Sequence, residues 1–329
     1  MENIQRGSSN FKQSQEKVID FLLENGLYLS TIILFIGFSV SIPNFFGLET
    51  AVNILSSASL KGIIAAGFTI ALIAGLIDTS ILGVAAFTTI LTGVLYQQLG
   101  WSLAATLLTV TFAACVCAAI NYSLVVLAKV NSFVVTTATG GLFLGAALFF
   151  GNGQTIVIVR TEFQDVLMAR PLGIPVSVWL LFLVYTVAYI MLNHTKLGAH
   201  IYASGANANV ARVTGVRTAR VTMIAFALCA LATALGTVLS TARSGSTLLF
   251  GTTFPSFDLA EIFTAVLLGG ASLFGGSGKI ERNLVAILFL TILVFGLQML
   301  GTKTGIWLVV KGIAFVAAII FDVIRQRRI

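Results

Sequence analysis

The residue types that most often carry catalysis or bind metals are scarce in this sequence and are not grouped. Its two histidines, His194 and His200, lie away from its three cysteines, Cys115, Cys117 and Cys229. Residues two apart on a helix point to different faces, so Cys115 and Cys117 do not form a ligand pair. The sequence has neither a phosphate-binding lysine loop nor a nucleophile elbow. We therefore expect no catalytic residue, no metal site and no cofactor on this chain.

The composition is too apolar for a soluble protein. Hydrophobic residues make up 57% of the 329 residues, charged residues only 9%, and the mean hydropathy is +1.01. A soluble chain of this length would need polar side chains over its outer surface, so we expect lipid to cover this one. The apolar runs are continuous and do not alternate with polar residues, which favours membrane-spanning helices over a β-barrel. The sequence thus predicts an all-α integral membrane protein.

Ten apolar runs are long enough to span a bilayer, which takes about 20 helical residues. The runs that begin near Ser59, Phe133 and Phe257 are short or rich in glycine and polar residues, so they could be broken or re-entrant. The predicted spans are 27–46, 59–77, 81–99, 102–128, 133–150, 174–193, 221–242, 258–275, 284–300 and 305–324.

The basic residues predict the orientation of these spans. Lys and Arg are retained on the cytoplasmic side, and with a cytoplasmic N-terminus most of the 19 Lys and Arg fall in cytoplasmic segments. We therefore predict two cytoplasmic termini, with a leading segment 1–26, a membrane domain 27–324 and a basic tail 325–329. The leading segment could be an interfacial helix or a polar tail. The net charge of +7 reflects this topology, and no basic patch with interleaved aromatic residues predicts nucleic-acid binding.

A few polar and aromatic residues at membrane depth are candidates for function. Asp78 and Ser80 lie where two spans meet. The Asp78 carboxylate could line a solute pathway or hold a broken helix, or it could cap the next helix. Glu261 and Lys311 could pair across the bundle, or could mark helix ends by extending to the interface. Phe45 lies near the outer end of a span, where its ring could stack on a sugar or anchor at the headgroups.

The segment 194–220 is the one long polar interruption on the predicted cytoplasmic side. Its alanine-rich part from Asn207 to Val213 follows a possible asparagine cap and stands between Gly205 and Gly215. We predict a short helix there, bracketed by flexible turns and lying across the membrane surface. Arg212 could meet an acidic partner protein or lipid headgroups. An ordinary interfacial loop is the alternative.

This segment and three others resemble one transporter family. Within the segment, the matching residues are Gly198, Tyr202, Ala203, Gly205, Asn207, Ala211 and Gly215, while Ala206 replaces a usual glycine. The other matches, in order, are Gly75 to Ser80, Ser132 to Thr136 with Gly151 to Gln154, and the glycine-rich run from Leu268 to Gly278. Lys311 and Asp322 resemble residues of the family's last span. The chain therefore resembles the permeases of ribose-type ABC importers over almost its whole length.

The resemblance implies a transport subunit of a bacterial inner membrane, with a monosaccharide as cargo. It also implies a second permease copy or homologue, cytosolic ATPase subunits that hold ATP and Mg²⁺, and a periplasmic or extracellular solute-binding protein. The residues that would couple to the ATPase are Gly198, Tyr202, Gly205, Ala206, Asn207, Ala211, Arg212 and Gly215. The candidates for the solute pathway are Asp78, Ser80, Phe45, Thr136, Asn152 and Glu261. Nucleosides, a furanone signal or amino acids are alternative cargoes, and an ion-coupled secondary transporter is the rival mechanism.

Overall fold

The computed structural model describes residues 25–247 and 259–326, and every regular element in these two stretches is helical. Seven of the helices are long and apolar enough to cross a membrane. The helices are α1 (Asn25–Ser41), α2 (Leu48–Ile73), α3 (Ile81–Gly93, continued by a wider turn at Val94–Gln98), α4 (Leu103–Tyr122, continued likewise at Ser123–Leu127), α5 (Ser132–Phe150), α6 (Thr161–Leu167), α7 (Val176–His194), α8 (Lys196–Ala206), α9 (Ala208–Val213), α10 (Thr218–Ser244), α11 (Leu259–Leu268), α12 (Ile280–Met299) and α13 (Thr304–Gln326). The prediction of an all-α membrane protein is confirmed at this level.

Two further helices of the described residues are apolar but shorter, α1 and the part of α13 from Gly305 to Ile319. Together with the ten-residue α11, they occupy three of the ten predicted spans. The count of ten spans and the orientation of the termini stay predictions. Residues 1–24 of the predicted leading segment lie outside the described residues.

The second helix differs most from its predicted span. It begins at Leu48 and not near residue 59, and it has no break. The polar residues in its first half lower the hydropathy and argue against a span, but in the fold they form hydrogen bonds and ion pairs with other helices. Ser56 Oγ accepts a hydrogen bond from Arg243 Nη1 at 3.0 Å, and Lys61 Nζ lies 2.6 Å from Glu261 Oε1. The run beginning near Phe133 is likewise an unbroken helix, α5.

The predicted break in the span 258–275 is present. Helix α11 ends at Leu268, after ten described residues, and turns of glycine-rich chain occupy residues 269–279 before α12 begins. Helix α11 packs against α2, α12 and α13.

Helix α2 forms the centre of the bundle. It packs against α7, α10, α11 and α12, and 83% of its most apolar stretch is buried. The corresponding fraction is 28% for α5 and 33% for α4 and α7. The outer helices therefore present apolar faces to lipid or to another subunit, whereas α2 is surrounded by its own chain.

Candidate functional site

Two short helices, α8 and α9, project from one end of the bundle between α7 and α10. The Thr195 side chain caps α8 by accepting a hydrogen bond from the Gly198 amide at 3.2 Å. Asn207 ends α8 and caps α9, because its Oδ1 accepts from the amides of Asn209 and Val210 at 3.0 and 3.1 Å. The prediction of a short helix behind an asparagine cap is confirmed. The sequence did not predict the longer α8 before it.

The backbone of α8 touches the end of α2 directly. A Cβ atom on Gly205 would lie 1.8 Å from the Ile73 carbonyl oxygen and 2.6 Å from the Gly276 nitrogen. The Gly276 amide donates to the same Ile73 oxygen at 2.9 Å. Three segments that are far apart in sequence thus meet at one point. The interpretation of Gly205 as part of a flexible turn is wrong, because it is a helical residue held in a close backbone contact.

Two more glycines complete this contact. A Cβ on Gly275 would lie 2.7 Å from the Gly75 Cα and 2.8 Å from the Gly205 oxygen, and both Gly75 and Gly275 have positive φ, at 80° and 81°. Only glycine satisfies the close approach and the left-handed backbone together. We call Gly75, Gly205, Gly275 and Gly276 the glycine junction. It joins the end of α2, the end of α8 and the turns after α11.

A side-chain hydrogen bond adds to the same connection, since Tyr202 Oη donates to the Gly278 oxygen at 2.8 Å. Ala206 lies at the end of α8, where a Cβ on Gly276 would be 2.6 Å from the Ala206 Cα. The other coupling candidates divide into buried and exposed residues. Gly198 and Ala211 are buried, and a Cβ on Gly198 would lie 2.1 Å from the Leu192 oxygen. Arg212 and Gly215 are exposed, and Gly215 has a positive φ of 90° that ends α9. The buried members hold α8 and α9 in place, and the exposed members are available to a partner.

A closed polar network surrounds the turn between α2 and α3. Asp78 Oδ1 accepts from the Ser80 amide at 3.0 Å and from Ser80 Oγ at 2.5 Å. Ser80 Oγ in turn accepts from Asn121 Nδ2 at 2.8 Å, and Asn121 Oδ1 accepts from Thr139 Oγ1 at 2.6 Å. All four side chains are buried. The geometry favours the interpretation of Asp78 as the residue that holds the turn leading into α3.

Thr136 ties α5 to the same turn. Its hydroxyl donates to the Ile77 oxygen at 3.0 Å and accepts from the Thr79 amide at 3.1 Å. The structure therefore brings together three of the predicted pathway residues, Asp78, Ser80 and Thr136. Asn121 and Thr139 were not predicted from the sequence. An amide and a hydroxyl side chain inside apolar runs were nevertheless a usable signal.

A second polar centre is an ion triad. Glu261 on α11 lies between two lysines, with Oε1 2.6 Å from Lys61 Nζ on α2 and Oε2 2.6 Å from Lys311 Nζ on α13. Glu261 is only 2% exposed. The predicted pairing of Glu261 with Lys311 across the bundle is confirmed, and Lys61 is the addition. Because the triad joins three helices, it fixes α11 against α2 and α13.

The last two pathway candidates lie elsewhere. Phe45 is buried in a cluster with Phe35 and Phe38, at ring-centroid distances of 5.7 and 5.5 Å, and is only 1% exposed. The ring thus packs against the protein and offers no free face. Asn152 is exposed in the turn after α5, with a positive φ of 50°.

The arrangement holds helices in fixed positions relative to one another. In the two described stretches, no three His, Cys, Asp or Glu residues are grouped so as to hold a metal ion. Apolar helices enclose small polar networks, and a pair of short helices is locked to three segments of the bundle through backbone contacts. These features define a multi-pass helical membrane protein.

Comparison with known proteins gives the family. The sequence model of the family described as "Branched-chain amino acid transport system / permease component" matches residues 50–319. The ribose import permease protein of Bacillus subtilis strain 168 is 32% identical over 316 residues, covering 94% of this chain and 97% of that protein. The ribose import permease protein of Escherichia coli K12 is 30% identical, with 92% and 94% covered. An autoinducer 2 import permease of Yersinia enterocolitica is 30% identical over 79% of each chain.

The chain belongs to this family of ABC importer permeases, and within it resembles the ribose type. The family assignment agrees with a multi-pass protein of the inner membrane. No solved structure matches the chain.

Proposed function

We propose that this chain is the permease subunit of an ABC importer that carries a monosaccharide across a bacterial inner membrane. Ribose and arabinose appear in the names of its relatives from Escherichia coli, which supports a monosaccharide as the cargo. In this proposal the chain supplies the pathway and pairs with a second permease copy or homologue. Cytosolic ATPase subunits bind ATP and Mg²⁺, and a soluble binding protein delivers the solute.

The observation that carries the proposal is the glycine junction. A movement of α8 and α9 would be transmitted by the Gly205 contact to the Ile73 end of α2, and by the Gly276 contact to the turns after α11. Both contacts are between backbone atoms, so no flexible side chain would absorb the displacement. Closure of the ATPase pair would in this way shift two central helices and change access to the pathway between two states.

The proposal includes ten spans with both termini in the cytoplasm. Asn25 and Tyr28 at the start of α1 share a surface recess with Lys279, Glu281 and Arg282, at the start of α12. The Tyr202 hydrogen bond to Gly278 puts α8 close to that same end of the bundle. An N-terminal segment on the side of α8 and α9 is therefore supported by contacts as well as by basic residues.

The deciding experiment is solute uptake into proteoliposomes that contain the purified chain, with and without its ATPase and binding protein. We expect labelled pentoses or hexoses to enter only when the ATPase and ATP are both present. Uptake by the chain alone, driven by an ion gradient, would instead establish an ion-coupled carrier. Asp78 would then be the first residue to test as the coupling group.

Two alternative cargoes have support from the names of a relative and of the family. The relative from Yersinia enterocolitica is named for import of autoinducer 2, so a furanone signal belongs in the same uptake panel. Nucleosides and branched-chain amino acids complete the panel, since the family description names the latter. A preference for any of these over the sugars would change the cargo while leaving the importer mechanism in place.

A further inference from the structure

A polar cavity of about 320 Å³ lies between α2, α10 and α12. Lys61 and Arg243 are the two charged side chains on its wall, and Phe295 provides an aromatic surface. The other polar groups on the wall are hydroxyls and an amide, from Ser57, Ser240, Ser244, Thr291 and Gln298. This volume and this mixture of cations, hydroxyls and one ring suit a small polyhydroxylated molecule.

The cavity is in the half of the bundle remote from α8 and α9. Arg243 and Gln298 stand near the last residues of α10 and α12, whereas α8 contacts the end of α2 at Ile73 and lies near the start of α12. In the proposed orientation this is the outer half. A solute released by a binding protein would reach the cavity before it reached the glycine junction.

Among the described residues, the cations of this wall and of the adjoining ion triad outnumber the carboxylates. The ion triad has two lysines for one carboxylate, so in the ionised state it carries a net positive charge. Arg243 adds another cation, and its guanidinium bonds to the Ser56 hydroxyl at 3.0 Å. Among the residues that the structure describes, no carboxylate forms an ion pair with Arg243. A partly buried arginine without a carboxylate partner among the described residues can bind an anionic group of a ligand.

We infer that this cavity binds an acidic monosaccharide, that is, a polyhydroxylated solute with a carboxylate, such as an aldonate or a uronate. Arg243 would bind the carboxylate through its planar pair of N–H groups, with Lys61 adding positive charge. Ser240, Thr291 and Gln298 would bond the hydroxyl groups. This inference deepens the proposed function and rests on it, because it specifies which kind of sugar the importer carries.

The test measures binding directly to the permease–ATPase complex in nanodiscs. The binding protein is left out, so that any preference among the solutes comes from the membrane site. The probes are labelled pentonates and hexuronates, each beside its neutral parent sugar. We expect at least one acid to bind about tenfold or more tightly than its parent, the ratio that one charge-assisted hydrogen bond provides. Added salt should weaken binding of the acid and leave binding of the neutral sugar unchanged.

Arg243→Gln should abolish the preference for the acid, and Arg243→Lys should retain part of it. Lys303→Gln is the matched control, because it removes an exposed cation that follows α12 and is not on the cavity wall. Equal binding of acid and parent by the unaltered complex would overturn the inference. So would a preference that Arg243→Gln leaves intact.

ATP-driven uptake, measured separately, distinguishes this inference from the proposed function. Uptake that requires ATP but shows no preference for acids at the membrane site would leave the importer in place and remove the acidic cargo. Selective binding of the acid without any ATP-driven uptake would support the acidic ligand and overturn the importer.

Discussion

Glu261 is the residue whose loss should most damage the folded chain. Glu261→Gln would leave the buried Lys311 and the partly buried Lys61 without their shared carboxylate. Breaking a buried ion pair from one side costs about 3–5 kcal/mol. We expect a large fall in the thermal unfolding temperature of the purified chain in detergent, measured by intrinsic fluorescence.

The triple variant Glu261→Gln, Lys61→Met, Lys311→Met should recover much of that stability, because it removes the orphaned charges together with their partner. Glu49→Gln, at an exposed position in the first turn of α2, is the matched control. If Glu261→Gln unfolded at the same temperature as Glu49→Gln, the triad would have no structural role.

Asn207 should act through the cap that its side chain provides to α9. Asn207→Ala removes an acceptor used by two amides and should destabilise α9 by about 1 kcal/mol, whereas Asn207→Ser should restore most of the cap. Hydrogen exchange of the amides of α9 would report the difference. Equal exchange in the alanine and serine variants would mean that the cap does not set the stability of this helix.

At the scale of elements, the glycine junction predicts that α8 has no room to gain a methyl group. Gly205→Ala would push α8 away from Ile73, and overpacking of this kind costs about 1–3 kcal/mol. We expect a lower unfolding temperature, faster amide exchange in α8 and, in the assembled importer, ATP hydrolysis that no longer drives uptake.

Gly141→Ala supplies the comparison, since Gly141 is also helical and has nothing within 4 Å of the position of a Cβ. That variant should match the unaltered chain in stability and uptake. Normal coupling in Gly205→Ala would show that the contact with α2 does not transmit the movement of α8.

The elements that the sequence predicted well are those whose signals are local. Helix α9 follows from an asparagine cap, alanines and a closing glycine, all within a few residues of one another. The start of α2 could not be predicted in this way, because the partners of Ser56 and Lys61 are Arg243 and Glu261, far along the chain. A hydropathy scale lowers the score of a candidate span for each such polar residue, even where the folded protein provides its hydrogen-bond or ion-pair partner.

The same distinction applies to the candidate site. The Asp78–Ser80 bond joins neighbours and was within reach of the sequence, whereas its extension to Asn121 and Thr139 requires α3, α4 and α5 to be packed together. The glycine-rich run was recognised from composition. That its glycines meet Gly75 and Gly205 is a property of the assembled bundle.

At the scale of the whole molecule, the end that carries α8 and α9 should be the docking surface for the ATPase. Val213, at the end of α9, is 85% exposed, and a large exposed apolar side chain beside Arg212 suits a protein partner. We expect Val213→Asp to reduce capture of the ATPase subunit by the tagged permease about tenfold or more, as loss of a buried apolar anchor does.

Leu172→Asp is the control, because Leu172 is 90% exposed and lies between α6 and α7, near the opposite ends of the helices. It should leave ATPase capture unchanged. Equal capture by both variants and the unaltered chain would place the docking surface away from α9.

Helix α2 runs without a break from the wall of the cation-lined cavity to the glycine junction. The number of residues between the two sites therefore fixes the direction in which Lys61 points, around the helix axis, relative to the junction. One residue inserted between Lys61 and Ile73 would rotate Lys61 by about 100° around the helix axis relative to the junction. Lys61 would then point away from Glu261 while Ile73 kept its contact with Gly205. Many side chains of this stretch could be exchanged for others of similar size, but its number of residues is fixed.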